Sequence, residues 1–78
     1  MHFNELDPVR VINAMSGKDP WRTGKTTSVP AGQGGTVIVG GPGCTAYDVE
    51  FMLYDGDSPL PYSAFLIVPA DNLEVYSE

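Results

Sequence analysis

Tyr47-Asp48-Val49-Glu50-Phe51 sets an apolar side chain at every second position and a carboxylate at each position between. Side chains of an extended strand alternate between two faces, so this spacing gives one dry face and one wet face. A helix would scatter the same residues around its circumference. The pattern spans Thr45 to Met52, and a half-buried strand of this kind folds only against other strands or a covering layer. Nine glycines and seven prolines among 78 residues, without a period, leave little room for helices as that layer.

Four further segments carry strand signals. Val9-Arg10-Val11-Ile12-Asn13-Ala14 begins by alternating and follows Asp7-Pro8, a tolerated place for proline. Gly34-Gly35-Thr36-Val37-Ile38-Val39-Gly40 is β-branched between glycines. Tyr62-Ser63-Ala64-Phe65-Leu66-Ile67-Val68 is apolar enough to predict a largely buried strand, and Leu73-Glu74-Val75-Tyr76 is a short closing one. Pro69-Ala70-Asp71-Asn72 suits a single 3₁₀ turn. Residues 1–6 read as a flexible N-terminus. Residues 15–33, interrupted by Gly17, Pro20, Gly24, Pro30 and Gly32, read as one long loop with loose strand character near Thr26 to Val29.

The predicted fold is therefore all-β and a single domain over residues 1–78: five short strands closing into a small SH3-like barrel with a long first loop. Closure would remove the exposed edges of an open sheet. The alternative is an open antiparallel sheet that pairs with a second copy. A chain of this length hides only about 60% of its extended surface on folding, enough for one thin core.

Gly34-Gly35-Thr36-Val37, Ala46-Tyr47-Asp48-Val49-Glu50-Phe51 and Pro69-Ala70-Asp71-Asn72-Leu73 together resemble a family of small bacterial domains of unknown function, numbered four-nine-two-six. The resemblance covers residues 6 to 76. It implies an SH3-like barrel and brings no activity and no site residues with it. The chain departs from the family pattern in a longer first loop, which holds Trp21, and a longer stretch between the third and fourth strands.

Motifs that would carry chemistry are incomplete. Gly24-Lys25-Thr26 ends like a phosphate-binding loop, but Asp19 stands where that loop needs its first glycine. Gly32-Gln33-Gly34-Gly35 and Gly40-Gly41-Pro42-Gly43 lack the following helix that dinucleotide binding requires and read as turns. Asp55-Gly56-Asp57 lacks the remaining ligands of a calcium loop. Cys44 and His2 fall short of a zinc set, and nothing in the sequence brings them together as nucleophile and base. Asp48 and Glu50 should share a solvated face about 7 Å apart at the backbone, without the cleft that acid–base work needs. The expectation is no catalytic residues, no metal and no cofactor.

Recognition is the remaining class. The net charge is −6. Lys18, Arg22 and Lys25 face only Asp19 between residues 15 and 33, so a mildly basic loop sits on an acidic body. Trp21 lies in that loop, and Trp and Arg are enriched at binding hot spots. Two readings of Trp21 stand side by side: a partner-binding anchor with Arg22, Lys18 and Lys25, or a lid folded over one end of the barrel. Tyr54, Tyr62 and Tyr76 are candidates to extend a binding surface. The aromatic cluster of a proline-peptide groove is missing.

The leading expectation is a non-catalytic module that binds a protein partner or itself. The alternatives are an accessory or immunity protein, or an acidic nucleic-acid mimic, encoded beside its partner, and a weak nucleic-acid binder acting through the basic loop. The overall charge opposes nucleic acid. No apolar run approaches the roughly 18 residues of a membrane span, and the N-terminus carries no signal-peptide pattern. With a single cysteine and no disulfide, the expected location is the cytoplasm.

Overall fold

A computed structural model describes residues 3–18, 26–41, 43–54 and 59–76. Their elements in chain order are β1 (Pro8–Val11), β2 (Met15–Lys18), β3 (Thr26–Val29), β4 (Gly34–Val39), β5 (Ala46–Tyr54), β6 (Pro61–Pro69), a 3₁₀ turn (Ala70–Asn72) and β7 (Leu73–Val75). The chain is all-β. No helix among the described residues is long and apolar enough to cross a membrane.

The strands form an antiparallel five-stranded sheet in the order β6-β5-β4-β1-β7, and a separate two-stranded ribbon of β2 and β3. The expected closed barrel is not formed, since no ladder joins β6 to β7 among the described residues. The ribbon occupies the space beside β6 instead: a Cβ built on Gly17 would lie 3.4 Å from Leu66 Cδ2.

The long loop expected over 15–33 is also corrected. It contains the β2–β3 ribbon, with Met15 opposite Val29 and Lys18 opposite Thr26. Thr27 and Val29 point inward and are buried, so the ribbon is held by its packing rather than by strand propensity.

β5 carries the predicted alternation two residues further than expected. Tyr47, Val49, Phe51 and Leu53 are buried, while Ala46, Asp48, Met52 and Tyr54 are exposed. It pairs with β6 along its whole length, from Ala46 opposite Pro69 to Tyr54 opposite Pro61. The buried side chains of both sheets form one core.

Residues 3–6, expected to be part of a flexible terminus, are held against the sheet, and Phe3 enters the core. Phe3 is buried and meets Tyr47 edge to face, with ring centroids 5.4 Å apart. Its backbone N–H donates to the Tyr47 hydroxyl at 3.1 Å, and the Leu6 N–H donates to the Val37 carbonyl at 2.7 Å. Gly40 makes this wrapping feasible, because a Cβ there would lie 2.7 Å from the Phe3 carbonyl oxygen.

A β-bulge interrupts β4. Val37 lies opposite Val49, yet Val39 lies opposite Asp48, so Ile38 is the extra residue. Without the bulge the alternation would turn Val39 inward beside the buried Val37. With it, Val39 is 57% exposed on the outer face of the sheet.

A candidate binding groove on the outer sheet face

The bulge and the pairing of β5 with β6 set Val39, Asp48 and Ile67 in one cross-strand row. Side chains directly opposite each other in such a row stand about 4.5–5.5 Å apart at Cβ. Asp48 thus lies between two exposed branched aliphatic side chains, Ile67 being 68% exposed. The next row sets Thr36, Glu50 and Phe65 together, with Glu50 and Phe65 half-buried. The following one sets Met52 against Ser63, whose hydroxyl lies 3.4 Å from the methionine sulfur.

This arrangement corrects the expectation that 62–68 is largely buried. Ala64, Leu66 and Val68 enter the core, whereas Phe65 and Ile67 turn outward. A continuous apolar run normally signals a strand covered on both sides. Here the second apolar face stays partly open, with Ile67 exposed and Phe65 half-buried.

The β2 strand, whose Gly17 meets Leu66 of β6, borders this face. Between them lies a groove of about 700 Å³, lined by Met15–Lys18 on one side and by Ile38, Val39, Asp48 and the Phe65–Ile67 segment on the other. That volume falls within the usual range for binding sites. β2 is positioned by Asn72, at the end of the 3₁₀ turn. Asn72 accepts from the Asn13 N–H through Oδ1 at 2.9 Å and donates from Nδ2 to the Asn13 carbonyl at 3.0 Å, clamping the β1–β2 connection. Its Nδ2 also lies 3.7 Å from the Met15 sulfur.

The groove's polar side chains are Ser16, Lys18 and Asp48, and none of them hydrogen-bonds to another. Among the described residues the sole ion pair is Arg10 with Glu74, a direct cross-strand pair between β1 and β7. Asp48, Glu50 and Lys18 therefore carry charges without an ionic partner among those residues. No group of three His, Cys, Asp or Glu side chains there is arranged to hold a metal.

Of the candidate binding residues, Lys18 is placed by the structure: it is exposed, ends β2 and lines the groove. Trp21, Arg22 and Lys25 lie outside the described residues, as do His2 and Asp55-Gly56-Asp57. Cys44 is half-buried against the core. Tyr54 is exposed at the end of β5, and Tyr76 packs on Gly34, 3.2 Å from where a Cβ would stand. Reasoning from sequence missed Met15, Val39 and Ile67. The available signal was the unbroken apolar run of β6, which leaves open whether its second face is covered by the same chain or by another molecule.

Comparison of the chain with known protein families, with curated proteins and with solved structures finds no match.

Proposed function

We propose that this chain is a non-catalytic binding domain that holds a protein partner against the outer face of its main sheet. The observation that carries this reading is the outward placement of Val39 and Ile67 beside the groove bordered by β2. Exposed apolar side chains scattered singly need no explanation, whereas a contiguous patch rimmed by polar groups marks an interaction surface. The groove's three polar side chains are not linked by hydrogen bonds, which supports recognition over nucleophile–base chemistry.

The strand order supports an SH3-like arrangement as the finer description. With the β2–β3 ribbon set aside as an elaborated first loop, the first strand lies between the second and the last, and a 3₁₀ turn precedes the last. The resemblance noted over residues 6 to 76 points the same way. A partner other than a second copy is favoured, because a two-fold contact through this face would bring Asp48 and Glu50 of each copy together.

Selection of random displayed peptides on the purified domain tests the reading. Peptides should be enriched on the native domain, and Val39→Ser and Ile67→Ser, both at exposed positions, should lose them while the domain stays folded. Enrichment unaffected by either substitution would move the interface elsewhere.

A further inference from the structure

Resting on the groove as a peptide-docking site, we infer that its partner is a peptide segment in which a lysine or arginine stands within an apolar stretch, the cation seated on Asp48. Three observations carry this.

The first is the setting of Asp48. Its carboxylate rises between Val39 and Ile67 and has neither an ionic nor a hydrogen-bonded partner among the described residues. In the free domain it is exposed to solvent. An apolar peptide laid across its neighbours would strip away that water, and a carboxylate covered without a donor is costly. A ligand that buries Val39 and Ile67 must therefore bring its own cation to Asp48 or lose affinity.

The second is the charge around it. Glu50 shares the face two residues along β5 and also lacks an ionic partner among the described residues. Arg10, on the same sheet, is engaged by Glu74. With a net charge of −6, the body as a whole favours the approach of a basic segment.

The third is the opposing charge at the rim. Lys18 lines the same groove from β2. It disfavours a uniformly cationic ligand and sets the direction of the fit: the peptide's base lies toward β4 and β5, and its apolar residues lie toward Met15. The occupant is thus distinguished from a polycation such as a nucleic-acid-binding tail and from a purely greasy segment.

The test uses peptides enriched by display on the native domain and, in parallel, on Asp48→Asn. Asp48 is exposed and has no ionic partner among the described residues, so the substitution should leave the fold intact, as circular dichroism would verify. Native-domain peptides should carry Lys or Arg inside an apolar run, and those from Asp48→Asn should lose that base. In one enriched peptide, changing Arg to citrulline, or Lys to norleucine, should weaken binding to the native domain about tenfold, the scale of a charge-assisted hydrogen bond, and leave binding to Asp48→Asn unchanged. The native preference should also shrink as salt is raised. Enriched peptides without a base, or a base preference that survives Asp48→Asn, would overturn the inference while leaving the groove reading in place. Loss of charge dependence and of sensitivity to Ile67→Ser together, or no enrichment at all, would overturn both.

Discussion

Thr27 shows how a single atom bears on the stability of a core this thin. It is 3% exposed on β3, and its Oγ1 has no hydrogen-bond partner among the described residues. A buried hydroxyl without a partner forfeits its hydration and costs about 1–3 kcal/mol. Thr27→Val replaces that oxygen with a methyl group of similar shape at a strand position that suits valine. We predict a gain of about 1 kcal/mol, read in urea unfolding as a higher midpoint with an unchanged slope. A loss of similar size would mean that the hydroxyl is paired after all. Leu6 shows the opposite tension: it holds a φ of 71° while 70% exposed. An L side chain is disfavoured there by roughly 1–2 kcal/mol, and the flanking Leu6–Val37 and Asn4–Asp7 hydrogen bonds keep the turn in place.

Among the elements, the N-terminal segment does more than its length suggests. Phe3 lies five residues before β1, separated from it by the polar Asn4, Glu5 and Asp7, yet it fills core volume beside Tyr47. Phe3→Ala should cost about 3–5 kcal/mol by leaving a cavity and removing the aromatic contact. A loss under about 1 kcal/mol in chemical unfolding would show that the segment is peripheral. The five strands of the main sheet were legible because their residues alternate or are β-branched, and because glycine or proline punctuates them. The 3₁₀ turn was legible from Pro69 and Asn72. Of the β2–β3 ribbon, β3 matches the loose strand character expected near Thr26 to Val29, whereas β2 was not legible, since Ser16 and Gly17 have little strand preference and breakers surround them; tertiary packing on Leu66 overrides propensity there. The bulge at Ile38 left no mark either. Val37-Ile38-Val39 reads the same whether or not one residue is extra, and that one residue decides whether Val39 is core or surface.

At the scale of the whole molecule, the sheet's inner face supplies the core and its outer face remains half apolar. This is why the candidate site was only partly visible in the sequence. Lys18 was chosen for its charge and does line the groove. Ile67 was read within a largely buried strand, and Val39 was not singled out, because an apolar strand residue looks the same facing a core as facing a partner. The acidic body was legible from composition, but its meaning depends on geometry. A solvated carboxylate is unremarkable on an ordinary wet face, whereas one set between exposed aliphatic side chains becomes a condition on whatever covers them.

The central claim is that a ligand covers the Val39–Asp48–Ile67 row. A nitrogen–proton correlation NMR titration of the isotope-labelled domain with a display-selected peptide tests it most directly. Residues Met15, Val39, Asp48 and Ile67 are predicted to shift together and saturate along one binding curve, with Val9 and Glu74 on the far strands unmoved. Shifts confined to β1 and β7, with that row silent, would contradict the account.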